Sequence, residues 1–250
     1  MTKKVLFWDI ETNPGLYYGW SMRYEPFYQI ERTSISCIAY KWEHEDEVKV
    51  IHLSKAEWNK DPRNDRSIIK KMSKIINEAD VMVAHNGDGF DWKKFNALVL
   101  KHNLPPLKKP KLVDTLKMVR SQMKFDSHAL GALCIELKVS LKIENEKNLF
   151  VKALNDWDKY QKLCKYCVGD VVALQDVYNK LKPYCKPAYH VGKLSGIDHS
   201  CASCGSEDLV KFGTYITASA EVQRYRCKDC LSTATVGTTS KRNNNTRGVI

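Results

Sequence analysis

The sequence predicts an α/β fold, a mixed sheet flanked by helices, followed by a small cysteine-bearing unit. Three observations carry that expectation. An apolar run rich in β-branched and aromatic residues, Lys4 to Thr12, opens the chain. Two further strand-like runs follow before helical periodicity begins, and short apolar runs then alternate with helical patterns. From Cys201 onward threonine, serine, glycine and cysteine rise while leucine becomes scarce.

Taken in order, the opening run reads as a buried central strand ending in Asp9-Ile10-Glu11. Asn13-Pro14-Gly15 is a turn, and an aromatic, irregular segment runs through Tyr17, Tyr18, Trp20 and Tyr24 to Tyr28. Ser34 to Trp42 and Val48 to Leu53 read as two strands joined by the acidic turn Glu43 to Glu47, a hairpin extending the first strand's sheet. Ile68, Ile69, Met72, Ile75 and Ile76 recur at helical spacing, which predicts an amphipathic helix over Asp65 to Glu78. Val81 to Ala84 is a short buried strand running into His85-Asn86-Gly87, and a helix follows from Asp91 to Lys101. After the loop Asn103 to Pro110, Leu112-Val113 reads as an edge strand and Asp114-Thr115 as the start of a helix. Two more helical patterns cover His128 to Leu137 and Trp157 to Leu181. The expected division is a domain over residues 1–185, a linker over 186–198, a second domain over 199–237 and a polar, disordered tail over 238–250.

Lysine and arginine outnumber aspartate and glutamate by 40 to 29, a formal charge of +11, which favours a polyanionic partner, nucleic acid before membrane. No apolar run approaches the length that spans a bilayer, and the apolar run between Lys4 and Asp9 is only four residues, too few for a signal-peptide core. The expected compartment is cytoplasmic and reducing, where nine cysteines argue for metal binding over disulfides.

Strand side chains alternate, so Asp9 and Glu11 project from one face, and two buried carboxylates there repel unless a cation neutralises them. The plainer alternative is a pair of solvated loop acids. In His85-Asn86-Gly87-Asp88-Gly89-Phe90-Asp91 a strand enters a loop with two glycines, and Asp91 sits where a helix begins, which also suits a helix cap. Tyr166 and Asp170 stand four apart on one helical face, equally compatible with solvent exposure.

The order Asp9-x-Glu11, Asn86-x-x-x-Phe90-Asp91, Tyr166-x-x-x-Asp170 resembles the DEDD-type 3′–5′ exonucleases of the ribonuclease H-like superfamily, in the subgroup with tyrosine in the last motif. The segment Asn86 to Asp91 is similar to proofreading domains of family-B DNA polymerases, and the likeness covers residues 1 to 184. The resemblance implies two Mg²⁺ or Mn²⁺ ions held by Asp9, Glu11, Asp91 and Asp170, with Tyr166 orienting the attacking water. It also makes Asn86 and Phe90 contacts for the terminal nucleotide, although Phe90 equally suits a core residue anchoring the helix. Asp114 is expected only to cap a helix.

Cys201-x-x-Cys204 and Cys227-x-x-Cys230 have the spacing of a tetrahedral zinc site, with Leu209 to Ile216 and Glu221 to Arg226 as the strands of a zinc ribbon. Cys164 and Cys167 lie inside a helix and read as half-buried packing residues, as do Cys37, Cys134 and Cys185; His199 is a remote alternative ligand.

The expectation is therefore a two-metal exonuclease with one structural Zn²⁺, acting on single-stranded DNA in preference to RNA. Nucleic acid is the expected partner, with a DNA polymerase or a replication or repair protein as a candidate second one, and the compactness suggests a small phage or mobile-element genome. The alternative is a non-catalytic nucleic-acid-binding or polymerase accessory module on the same fold. Lys108, Lys109 and Lys111 are candidates to bracket a strand entering the acidic site.

Overall fold

A computed structural model describes residues 3–20, 25, 27–139, 146–218 and 221–234; the expected polar tail, 238–250, lies outside the described residues. The chain divides between Leu181 and Lys182 into two compact units.

In the first unit β1 (Val5–Asn13) is the middle strand. The two-stranded ribbon of β2 (Leu16–Tyr18) and β3 (Tyr28–Glu31) follows it, then β4 (Ser34–Trp42) and β5 (Lys49–His52). Next come α1 (Lys55–Lys60), α2 (Arg66–Glu78), β6 (Val81–Ala84), α3 (Asp91–Lys101) and β7 (Lys111–Asp114). Four helices complete the unit: α4 (Thr115–Gln122), α5 (Leu130–Glu136), α6 (Leu149–Lys152) and α7 (Trp157–Leu181). The sheet order is β5-β4-β1-β6-β7. β5, β4 and β1 pair antiparallel, whereas β1, β6 and β7 run parallel, so the sheet is mixed. The fold class expected from sequence is the one observed.

β1 is apolar on both faces because helices cover both. Phe7 meets Tyr178 of α7 edge-on with ring centroids 5.5 Å apart, and Trp8 meets Phe95 of α3 at 5.9 Å. Successive strand residues point oppositely, so Phe7, Asp9 and Glu11 share the face under α7. α7 is tied to the sheet by Tyr160, whose buried hydroxyl donates to the Ser36 carbonyl at 2.8 Å and accepts from the Leu53 N–H at 2.9 Å.

Several elements differ from expectation. The irregular aromatic segment contains the β2–β3 ribbon. Two short helices, α1 and α6, were not expected, and α5 starts at Leu130 rather than His128. Asp65 opens α2 without a side-chain cap bond; its carboxylate turns instead to the Ile35 N–H at 2.9 Å and to His102 Nε2 at 2.5 Å.

The second unit contains α8 (Val191–Leu194) and a sheet of β8 (Leu209–Ile216), β9 (Glu221–Cys227) and β10 (Thr233–Ala234) in the order β10-β9-β8. Residues 190–197 fall in the span expected to be linker, yet they form a helical turn bonded to the first cysteine knuckle through Val191 N–H and the Ala202 carbonyl at 2.9 Å.

Replacing Tyr160 with phenylalanine removes one hydroxyl and leaves a buried N–H and a buried C=O unsatisfied. Urea unfolding is expected to show a loss of about 1–3 kcal/mol, and an unchanged midpoint would mean the hydroxyl does not tie α7 to the sheet.

Candidate active site

The site forms where β1 outruns its neighbour. β6 pairs with β1 only from Val5 to Phe7, so Asp9, Ile10 and Glu11 extend past the parallel strand while β4 still flanks them. Ile10 N–H is met on its open side by the carboxylate of Asp91, the first residue of α3.

The loop between β6 and α3 makes this return in six residues, and its glycines are steric requirements. A Cβ on Gly87 would lie 2.4 Å from Ala84 Cβ, and one on Gly89 would lie 2.7 Å from Asn86 Oδ1. Asn86 takes a left-handed conformation, φ 65°. Asp114, expected only to cap α4, does so by accepting from Leu116 N–H at 3.0 Å, and it also accepts from Asn86 N–H at 2.9 Å and Asp88 N–H at 3.3 Å. It therefore holds the loop that aims Asp91.

Asp91 is 3 % exposed. Burial pushes its carboxyl up to about 7, with the nearby Asp114 charge adding to the rise and the N–H groups of Asp91 and Ile10 opposing it.

α7 supplies the opposite wall. Tyr166 and Asp170 are both buried, and the Tyr166 ring meets Phe150 edge-on at 6.4 Å. Between them Cys167, fully buried rather than half-buried, places its thiol 3.6 Å from the Asp9 carbonyl oxygen and 3.8 Å from Asp9 Oδ2. Asp9, Glu11 and Cys167 bring one ligand atom each to within 4.8 Å of one another. Asp91 and Asp170 stand outside that group of three. Sequence reasoning missed Cys167; its signal was the position three before Asp170, on the same helical face. Burial pushes its thiol up to about 12, with a hydrogen bond from Cys37 opposing and the charges of Asp9 and Glu11 reinforcing. It stays an S–H beside the carboxylates, which leaves hard oxygen donors facing the space between β1 and the α3 and α7 acids. That donor set suits Mg²⁺ or Mn²⁺.

Asn86 is exposed, and Phe90 is 45 % exposed, which removes the reading of Phe90 as a core anchor. The basic loop does not bracket this site. Lys111 pairs with Val81, which pairs with Val5, so Lys108, Lys109 and Lys111 lie at the end of the sheet away from Asp9 and Glu11. Lys108 also forms a surface ion pair with Asp80 at 3.8 Å.

In the second unit Cys201, Cys204, Cys227 and Cys230 bring their sulfurs within 4.8 Å of one another. The Cys201–Cys230 and Cys204–Cys227 separations are both 3.6 Å, close to the roughly 3.8 Å that tetrahedral zinc with bonds of about 2.3 Å imposes. The two knuckles are built alike. Cys201 N–H reaches the Ser206 carbonyl and Cys227 N–H the Ser232 carbonyl, while Gly205 N–H and Leu231 N–H return to the Cys201 and Cys227 carbonyls. Gly205 and Leu231 occupy the left-handed position at φ 81° and 61°. The Cys201 thiol is lowered to about 7: burial opposes this, but the Ser232 hydroxyl, the N–H groups of Cys204 and Ser203 and the Cys230 thiol outweigh it. Cluster geometry and thiol environment are compatible with zinc. His199 stands outside the cluster, edge-on to Tyr225 at 5.7 Å.

A family model of the RNase H superfamily matches residues 25–182, beginning after β1. The DNA polymerase III PolC-type of Ureaplasma parvum serovar 3 (strain ATCC 700970) is 37 % identical over 82 residues, which are 33 % of this chain and 6 % of that protein. The family B DNA polymerase of the hyperthermophilic archaeon Pyrobaculum calidifontis superposes with a TM-score of 0.55 at 19 % identity, covering 73 % of this chain and 25 % of that one, a likeness of fold. No helix among the described residues is long and apolar enough to cross a membrane.

The raised Asp91 carboxyl has a measurable sign. Its proton is held to about pH 7 in the fold but only to about pH 4 in the unfolded chain, so the stabilisation is complete below about 4 and lost as pH rises through 7. Cation-free protein is expected to lose on the order of 4 kcal/mol in urea unfolding between pH 4 and 8 from this group. Asp91→Asn should flatten that slope; an identical slope in the variant would remove Asp91 as its source.

Proposed function

The chain belongs to the RNase H superfamily, and on that premise we propose that it is a metal-dependent 3′–5′ exonuclease of the DEDD type with a tyrosine in its last motif, joined to a zinc ribbon. The observation that supports this reading is the pairing of Asp9 and Glu11 at the open end of β1, with the Asp91 carboxyl bonded to Ile10 N–H and the buried Asp170 on the same helix as Cys167, which touches Asp9. With Glu11, Asp91 and Asp170 buried and Asp9 half-buried, such a set is costly without cations and suits two of them.

Asp9, Glu11, Asp91 and Asp170 would hold two Mg²⁺ or Mn²⁺ ions. When bound, such ions acidify a water and neutralise charge on the departing 3′ oxygen. Asp9 is central because its carboxylate lies beside Glu11 and its carbonyl and carboxylate both meet Cys167 of α7. Tyr166, four residues before Asp170 on the same helical face, orients the attacking water by hydrogen bonding. The Phe90 ring offers a face to the terminal base, with Asn86 beside it on the same loop. The products are nucleoside monophosphates. Single-stranded DNA is the favoured substrate and RNA the competitor, since both described relatives are named as DNA polymerases. A polymerase or a replication or repair protein is the partner that those names suggest. One Zn²⁺ on Cys201, Cys204, Cys227 and Cys230 holds the second unit, whose β8–β9 sheet buries little apolar surface of its own.

With Mg²⁺, a 5′-labelled single-stranded DNA is expected to give a ladder of shortening products, and Asp9→Ala should reduce the rate at least about 1,000-fold. An RNA of the same sequence run alongside assigns the substrate. Absence of products from either strand, with Mn²⁺ also supplied, would favour a nucleic-acid-binding module instead.

Elemental analysis should return one zinc per chain, and Cys227→Ser should lose it together with the β8–β9 sheet signal in circular dichroism. Full zinc content in that variant would exclude the proposed ligand set.

A further inference from the structure

Between β1 and β4 the chain presents a feature that the acidic site does not use. β2 and β3 pair as Leu16↔Glu31, Tyr17↔Gln29 and Tyr18↔Tyr28, forming a separate two-stranded sheet with every residue exposed. The Tyr18 and Tyr28 rings stack with centroids 6.4 Å apart and planes 25° apart. Just beyond them Trp20 and Phe27 lie 5.4 Å apart at 35°. Trp20 is 86 % exposed, and the other three rings are about 60 % exposed. Aromatic surface left so open within the fold marks an interaction surface.

The ribbon is rooted on the elements that carry the acids. Arg63 donates through Nη1 to the Pro14 carbonyl at 2.9 Å and the Arg32 carbonyl at 3.3 Å, clamping both legs with one guanidinium. Asn13, two residues after Glu11, donates to Ser34 Oγ at 3.0 Å and the Pro62 carbonyl at 3.2 Å. Lys94, three residues after Asp91, donates to the Thr33 carbonyl at 3.3 Å. The arm is therefore fixed to both β1 and α3.

We propose that this arm is a stacking platform for single-stranded nucleic acid, gripping bases of the strand whose 3′ end enters the acidic site. The occupant follows from three features. The four rings are largely exposed, one pair stacked at 25° and the other tilted at 35°, which suits planar bases rather than the side chains of a docked helix. The formal charge of +11 supplies phosphate attraction that does not depend on sequence. The arm's roots are continuous with the strand and helix that bear Asp9, Glu11 and Asp91. The direction of the strand rests on the exonuclease reading; the stacking does not.

The test is fluorescence anisotropy of a labelled oligothymidylate with the full chain in the Asp9→Ala background, which leaves the strand uncut. Trp20→Ala is expected to weaken binding about 5- to 100-fold, the range for losing one stacked base, and Trp20→Phe to retain most of the affinity. A strand of abasic residues keeps the phosphates and lacks the rings; it should bind weakly and be indifferent to Trp20→Ala. Three results would overturn the proposal: unchanged affinity of Trp20→Ala for the base-bearing strand, an equal loss on the abasic strand, or a dimer in sedimentation that Trp20→Ala dissolves, which would assign the arm to a second copy of the chain. Hydrolysis of the p-nitrophenyl ester of thymidine 5′-monophosphate by the unsubstituted protein reads the acidic site separately. Its absence would defeat the phosphodiesterase reading while leaving the arm's result standing.

Discussion

Everything at the acidic site depends on an unpaired stretch of strand edge. Backbone N–H groups removed from water must find acceptors, and β6 stops pairing with β1 at Phe7. The N–H of Ile10 would be stranded without the carboxylate of Asp91. A hydrogen bond that a strand N–H normally donates to a carbonyl is here donated to an acid, so a requirement of sheet formation also brings a carboxyl group next to Asp9 and Glu11. The loop must then turn sharply enough to start α3 at that point. Gly87 and Gly89 are needed because side chains there would collide with Ala84 and Asn86, and Asp114 fixes the turn by accepting two of its N–H groups. Stability and site assembly are the same set of bonds.

Much of this was legible in the sequence. The alternation Phe7, Asp9, Glu11 fixes a common face whatever covers it, and the helical spacing of Tyr166 and Asp170 fixes theirs. The placement of the covering helix was not legible, and with it the contact between Cys167 and Asp9. Nor was the second role of Asp114, because its cap partners are local in sequence while Asn86 is 28 residues away. α1 carries a capping box in Ser54 and Glu57, with both reciprocal bonds present, yet it was overlooked because no apolar run follows it and none of its residues is buried. The lysine-rich loop was misjudged for a topological reason. Charge and proline content place a loop on the surface, but only strand direction says at which end of the sheet it emerges.

The aromatic segment after Pro14 shows a different limit. Tyrosine and tryptophan suit strands, but strand patterns are recognised by an alternation of apolar and polar faces that reflects burial on one side. In β2 and β3 neither face is buried, so the alternation is missing and the segment reads as irregular. A ribbon exposed on both faces gains little from the hydrophobic effect and is held at its root by polar bonds from Arg63, Asn13 and Lys94. The stacked cross-strand pair Tyr18 and Tyr28 adds to that, while Trp20, 86 % exposed, lies beyond the paired residues.

The two clusters of candidate ligands sort by donor chemistry. In the second unit four sulfurs converge with almost no oxygen donors, and the Cys201 thiol is drawn down to about 7 by N–H and O–H groups that stabilise its thiolate. In the first unit a thiol also lies within reach of Asp9 and Glu11, but burial and those carboxylates hold it up at about 12. Thiolates select soft and borderline cations, and carboxylates select hard ones. A cysteine close to an acidic site would blur that selection if it ionised readily. Kept buried against the Asp9 backbone, Cys167 fills space under the strand as a neutral group, so that the donors beside it stay the oxygens of Asp9 and Glu11. The same residue type is thus suited to ligation in one unit and to packing in the other, according to the hydrogen bonds around it.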